Sequence, residues 1–138
     1  MGDEIMVVSD PVADFLTRIR NGTKAQHRYV DVNWSKMKQT LAEILKNQGF
    51  IENYLVKVDE GQRGTIRIFL KYTNGRRPVI QGLKRISKPG LRKYVGHQDI
   101  PRFYGNMGLS IVSTSQGVMA GNEATQRGIG GELLCLIW

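Results

Sequence analysis

The segment SDPVADFLTRIRNG, residues 9–22, carries signals for both ends of a helix. Asp10 suits the N-cap and Pro11 the first helical position, while Asn21 followed by Gly22 is a typical stop. Between these ends, apolar residues recur at the spacing of one helix face: Val12, Phe15, Leu16 and Ile19. The segment therefore predicts an amphipathic helix with a single apolar stripe.

The chain that follows alternates between strand and helix patterns. YVDVNW, residues 29–34, alternates like a short strand, and Ser35 then caps a second helix that ends at Gly49. The inward residues of that helix are Met37, Leu41, Ile44 and Leu45. FIENYLVKV, residues 50–58, and GTIRIFLKY, residues 64–72, predict two strands joined by a glycine-containing turn. The first half of the chain is therefore predicted to be α-β-α-β-β.

A change in composition after TNGRRP, residues 73–78, predicts a domain boundary, because basic residues, glycines and short β patterns follow it. The predicted domains are an N-terminal α/β domain, residues 1–73, and a C-terminal domain, residues 74–138. The C-terminal elements are predicted as a strand in VIQGLKRIS (79–87), a turn and further strand in KPGLRKYVG (88–96), a half-buried strand in LSIVST (109–114), a short helix in NEATQRG (122–128) and a buried strand in GGELLCLIW (130–138). The fold class is α/β of the α+β kind, with a mostly β second domain.

Charge is distributed unevenly along the chain. Residues 1–60 carry 8 Lys and Arg against 9 Asp and Glu, a net −1, whereas residues 61–138 carry 12 against 3, a net +9. Within 76–102, Asp99 is the only acid among the following cations: Arg76, Arg77, Lys84, Arg85, Lys88, Arg92, Lys93 and Arg102. A solvated surface usually mixes both signs. The pattern therefore predicts a polyanionic partner, with nucleic acid first and an acidic membrane second.

Other features narrow the class of protein. The start MGDEIMVVSD carries acids where a secretory signal carries Lys or Arg, and no apolar run reaches the length of a membrane span. We expect a soluble cytosolic protein. The single cysteine, Cys135, excludes an internal disulfide and a zinc cluster, and its apolar neighbours predict a buried, inert thiol.

Three hydroxyl side chains stand side by side at Ser113, Thr114 and Ser115, just before Gly117. Small polar residues and glycine are typical of a turn, so the stretch alone assigns no function. A hydrolase that combines Ser113 or Ser115 with His97 and Asp99 is one alternative, although the G-x-S-x-G motif is absent. The glycine-rich GIGGE, residues 128–132, fits a turn rather than a phosphate-binding loop.

Five motifs, in this order, carry a resemblance: SDPVADFLTRIRNG, GFIENY, LKRISKPGLRKYVG, GLSIVSTSQGVMAG and GIGGELLCLIW. Together they resemble the bacterial-type family of ribosomal protein eight of the small subunit. The resemblance covers nearly the whole chain and does not distinguish a eubacterial from an organellar source.

The resemblance implies a non-enzymatic protein of two α/β domains that works in the ribosome and needs no cofactor. Its implied partners are the central domain of small-subunit ribosomal RNA, ribosomal proteins five and twelve of the same subunit, and in some relatives their own messenger RNA. A role in early assembly of the platform is also implied. A free-standing RNA-binding repressor would present the same surface and remains an alternative.

The resemblance also implies the recognition loop: Ser113, Thr114, Ser115 and Gly117, with Gly131 and Glu132 approaching from the final strand. Small hydroxyls on a tight turn suit the wide, shallow minor groove of helical RNA. The basic run supplies candidate phosphate contacts: Arg85, Lys88, Arg92 and Lys93. Tyr94 either stacks on RNA or faces the core.

Two departures from the family pattern concern this loop. Gln116 stands where relatives commonly have lysine, which removes a possible phosphate contact. Ala120-Gly121 stands where they commonly have Thr-Asp, which predicts a weaker N-cap for the short helix.

Overall fold

The computed structural model describes residues 10–58, 61, 63–102 and 107–138. The acidic start, residues 1–9, lies outside the described residues. Helix α1 spans Pro11–Lys24, and the Asp10 side chain accepts a hydrogen bond from the Ala13 backbone N–H at 3.1 Å. The predicted apolar stripe is buried, so the cap and the inward face are both confirmed.

Three antiparallel strands form the first sheet: β1 (Tyr29–Asn33), β2 (Ile51–Val58) and β3 (Gly64–Leu70). Strand β3 lies in the middle, so the order is β1-β3-β2. Helix α2, Lys36–Asn47, is capped by Ser35, whose hydroxyl accepts a hydrogen bond from the Lys38 backbone N–H. Leu41 and Leu45 of this helix are buried, while Met37 and Ile44 pack partly buried on the same core. The predicted α-β-α-β-β order is confirmed.

The predicted stop of α1 at Asn21 and Gly22 is wrong, because the helix continues to Lys24. Gly22 is buried within the helix, and a Cβ atom added there would lie 2.2 Å from Cγ1 of Val30 on β1. The residue serves the close approach of strand to helix rather than a turn.

Two short strands, β4 (Tyr72–Thr73) and β5 (Arg77–Pro78), pair only with each other among the described strands and form a separate small sheet. The larger second sheet is built around one strand. The remaining elements are β6 (Leu83–Arg85), β7 (Tyr94–Val95), β8 (Leu109–Thr114), β9 (Gly117–Ala120), α3 (Gly121–Arg127) and β10 (Gly131–Ile137). Strand β10 pairs antiparallel with β6, β7 and β8, and β9 adds to the outer side of β8. The fold is mixed α and β, as predicted.

Two predictions about these strands are wrong. Within 79–87 only β6 is a strand, because the Gln81 and Gly82 backbone N–H groups donate to the Trp138 carbonyl instead of a ladder. Strand β8 is not half-buried, since its first four residues are all buried. One face of β8 meets the large core, and Val112 on the other face packs with Ala124 of α3.

The main hydrophobic core contains residues from both predicted domains. Phe15 of α1 and Ile68 of β3 belong to the same cluster as Ile111 of β8 and Ile137 of β10. A polar contact also connects the two predicted domains, since Arg20 of α1 donates to the Leu83 carbonyl at 2.6 Å. The boundary between residues 73 and 74 stays a prediction.

Cys135 lies in the centre of β10 and is fully buried. Burial raises the pKa of its thiol to about 12, so the side chain is neutral and unreactive at physiological pH. The predicted buried thiol is confirmed. Among the described residues, no helix is long and apolar enough to cross a membrane.

Replacing Asp10 with alanine should lower the free energy of unfolding by about 2–4 kcal/mol, because it removes the α1 cap and the partner of a largely buried arginine, Arg85. Asp10→Asn retains a capping oxygen and should lose less. Urea unfolding measures both variants. A loss below about 0.5 kcal/mol for Asp10→Ala, the range of ordinary surface substitutions, would contradict this role.

Candidate nucleic-acid interface

The hydroxyl stretch forms the tip of the hairpin between β8 and β9. Thr114 pairs with Gly117, so Ser115 and Gln116 make a two-residue turn. The Thr114 hydroxyl donates to the Gly117 carbonyl at 2.7 Å and accepts from the Gln116 backbone N–H at 3.1 Å. Gly117 adopts a φ of 114°, which only glycine takes readily. Thr114 therefore holds the turn, and Ser115 and Gln116 are exposed at its end.

Three predicted site residues lie in one row across the second sheet. Glu132 of β10 stands opposite Tyr94 of β7 on one side and Ser113 of β8 on the other. Residues directly opposite in a sheet share a face, so these three side chains project from the same side. Tyr94 exposes 72% of its surface, and the interpretation that it faces the core is wrong.

Gly131 allows β10 to lie close to the hairpin. A Cβ atom at this position would lie 2.1 Å from the Ser113 carbonyl oxygen, within the backbone of β8. The residue therefore keeps the two strands in contact next to the tip, and any side chain would push them apart.

Glu132 faces the basic segment rather than open solvent. Its carboxylate accepts hydrogen bonds from the Ser87 hydroxyl and, at 2.8 Å, from Nη1 of Arg92, and only 15% of its side chain is exposed. Burial opposes ionisation of this carboxyl, but the hydrogen bonds from Ser87 and Arg92 and the charges of Arg92 and Arg85 outweigh it. The pKa of Glu132 is consequently held below its usual value. Glu132 thus anchors the basic segment to β10.

The basic segment, residues 88–93 between β6 and β7, forms a fixed turn, the basic turn. Lys88 and Leu91 exchange backbone hydrogen bonds at 2.9 and 3.0 Å around Pro89-Gly90. The Ser87 hydroxyl accepts from the Lys93 backbone N–H at 3.1 Å, which ties the end of the turn to the Glu132 anchor. Lys88, Arg92 and Lys93 are all exposed, and they lead directly into Tyr94.

Arg85 is not brought together with the other cations. Its guanidinium donates to both Asp10 carboxylate oxygens, at 3.2 and 3.3 Å, and to the Leu134 carbonyl at 2.7 Å, and 13% of the side chain is exposed. The strand pattern contained the signal, since alternation places Arg85 on the face of buried Leu83 and leaves Lys84 outside.

Two features lie next to the hairpin tip. One is a contact that was not predicted, and the other is a prediction that the structure confirms. Gln116 Oε1 accepts a hydrogen bond from Nη1 of Arg127 at 2.9 Å, a contact that no sequence pattern indicates. Helix α3 begins after Ala120 without a side-chain cap, which confirms the weaker N-cap expected from Ala120-Gly121. Among the described residues, no group of acidic, His or Cys side chains could hold a metal ion.

Comparison with known proteins places this α/β architecture in one family. The family model described as Ribosomal protein S8 matches residues 10–138. The chain is 58% identical over 134 residues to the small ribosomal subunit protein uS8 of Roseiflexus castenholzii, covering 96% of this chain and 100% of that protein. It is 56% identical over 132 residues to the protein of the same name from Chlamydia caviae, covering 96% and 98%.

The chain therefore belongs to the ribosomal protein S8 family, and the resemblance seen in the sequence is confirmed. The protein from Desulforudis audaxviator, also named small ribosomal subunit protein uS8, is 52% identical over 132 residues. Members of this family are structural proteins rather than enzymes, so the serine hydrolase alternative is wrong.

Glu132→Gln should flatten the dependence of stability on acid pH. The folded-state pKa of Glu132 lies below its value of about 4.5 in the unfolded chain, so the ionised carboxylate stabilises the fold above that pH. The contribution is lost as the pH falls through the folded-state pKa. We expect the free energy of unfolding of the unmodified protein to fall more steeply between about pH 5 and pH 3 than that of the variant. Parallel curves from urea unfolding at several pH values would contradict the anchor.

Proposed function

We propose that this protein is a structural constituent of the small ribosomal subunit and that it binds ribosomal RNA directly with the hairpin tip and the adjacent basic turn. The observation that carries the proposal is the row of Tyr94, Glu132 and Ser113, which places the residue that follows the basic turn and a residue just before the hairpin tip on one sheet face, on either side of Glu132. Family membership supports it, because the relatives are named as small ribosomal subunit proteins.

The two parts of this surface suit two kinds of contact. Helical RNA presents 2′-hydroxyls and base edges in a shallow minor groove, which the exposed Ser115 hydroxyl at a narrow tip can approach. Thr114 serves the contact indirectly by fixing the turn. Lys88 and Lys93 supply positive charge for phosphates, which positions the protein without selecting a sequence.

Tyr94 and Arg92 have intermediate roles in the proposal. The exposed Tyr94 side chain lies in the row with Glu132 and Ser113, where it can stack on a base or donate to a sugar. Arg92 forms an ion pair with Glu132, which partly neutralises its charge. It therefore contributes less to phosphate binding than the two lysines and more to the shape of the turn.

The finer assignments follow the family resemblance. The proposed RNA target is the central domain of small-subunit ribosomal RNA, where the protein helps to assemble the platform. Ribosomal proteins five and twelve are proposed neighbours, and its own messenger RNA is a proposed second target. A bacterial-type protein of this kind works in the ribosome, in the cytoplasm.

Hydroxyl-radical footprinting on naked small-subunit ribosomal RNA tests the proposal. We expect protection confined to one helical region of the central domain, together with co-sedimentation of the protein with small subunits. Protection of an unrelated RNA helix without co-sedimentation would favour a free-standing regulator. Absence of protection would refute direct RNA binding.

Ser115→Ala should weaken specific RNA binding by about 1–3 kcal/mol without changing its salt dependence, because it removes one hydrogen bond and no charge. Thr114→Ser keeps the hydroxyl that holds the turn and serves as the matched control, with near-normal affinity. Filter binding at several salt concentrations measures both quantities. Unchanged affinity for Ser115→Ala would remove the tip from the interface.

Lys88→Ala combined with Lys93→Ala should weaken binding to specific and unrelated RNA alike. Each lost phosphate contact should reduce the slope of log affinity against log salt by about 0.7–0.9. Lys36→Ala removes one positive charge from an exposed position on α2 and should leave the slope unchanged. Equal slopes for all these proteins would show that the basic turn is only a solvated surface.

A further inference from the structure

Arg127 brings a positive charge to the hairpin tip from outside the hairpin. It is the last residue of α3, and its Nη1 donates to Oε1 of Gln116, one of the two turn residues, at 2.9 Å. The guanidinium therefore lies beside the exposed end of the tip. Its side chain is 47% exposed, so it is also open to a ligand.

The guanidinium makes a second side-chain contact. Nη2 of Arg127 donates to Oε1 of Glu123, one helical turn earlier on α3, at 2.7 Å. Two different nitrogens of one planar group thus donate to two different side chains. A guanidinium has five N–H donors, so three remain for another acceptor. Such a fork matches the oxygens of a phosphate.

The surrounding charges make this cation distinctive. Residues 103–138 contain three charged side chains, and Arg127 is the only positive one. Of the two acids, Glu132 is turned toward Ser87 and Arg92 on the other side of β10. Glu123 is half exposed, and ion pairs between exposed side chains are weak enough for another anion to compete.

We propose that Arg127 binds an RNA phosphate next to the hairpin tip, with Gln116 as the positioning residue that brings the guanidinium there and Glu123 as a competing anion. This inference rests on the proposed function. The chain then has a phosphate contact at this tip even though residue 116 is uncharged, because the cation comes from α3.

The salt dependence of RNA binding, measured for the unmodified protein and for three variants of Arg127 and Glu123, tests the contact. Arg127→Gln removes the charge and should reduce the slope of log affinity against log salt by about 0.7–0.9, whereas Arg127→Lys should retain most of the slope. Glu123→Gln removes the competing anion and should raise affinity severalfold at low salt. Thermal unfolding monitors the fold of each protein, including the unmodified one.

Three outcomes would overturn the proposal. One is an unchanged slope in Arg127→Gln. Another is an equal loss in Arg127→Gln and Arg127→Lys, which would indicate a packing role. The third is weaker binding in Glu123→Gln. If Ser115→Ala still weakens binding in the same assays, the proposed function stands while the Arg127 contact falls; if neither variant has an effect, both fall.

A double-mutant cycle tests the part assigned to Gln116. Gln116→Ala should weaken binding in the unmodified protein but have little further effect when Arg127 is already replaced by glutamine, since it acts through Arg127. An equal loss in both backgrounds would show that Gln116 contributes independently, and would overturn its positioning role.

Discussion

The carboxylate of Asp10 joins the two halves of the structure. It caps α1 by accepting a hydrogen bond from the Ala13 backbone N–H, and it also accepts two hydrogen bonds from the guanidinium of Arg85 on β6. Arg85 in turn donates to the Leu134 carbonyl on β10. One side chain therefore fixes the start of the first helix relative to the central strand of the second sheet.

Removing either partner of this pair would leave a largely buried charge without compensation, which is more costly than losing an exposed ion pair. The pair also determines which cations are available for a ligand. Because Arg85 serves the interior, the proposed phosphate contacts of this basic segment fall on the exposed side chains of the turn that follows it. The charge of the second half is thus divided between stability and binding.

Local patterns predicted most of the elements correctly. The cap at Asp10, the stripe of α1 and the turn before Gly117 depend on neighbours a few residues away, and such signals are visible in one sequence. Strand β9, which completes the hairpin, was not predicted. The role of Arg85 was not predicted, because its partner Asp10 is 75 residues distant in the chain. The contacts of Glu132 with Ser87 and Arg92 were not predicted, since these residues lie 45 and 40 positions before it in the chain. The Arg127 contact depends on how α3 folds back over the tip, which no pattern in the hairpin encodes.

The position of β10 in the chain also sets the order in which the second half can fold. Within the part of the chain that the structure describes, strands β6 and β7 pair only with β10, which follows them, and Cys135 pairs with Arg85 across fifty residues. Contacts of such long range form slowly, because a large loop must close before they contribute. The β8–β9 hairpin can form early from its own residues, whereas the basic turn has no fixed place until Glu132 arrives. During synthesis, the exposed cations of that turn therefore precede the strand that organises them, and the complete surface exists only after the last part of the sheet has been made.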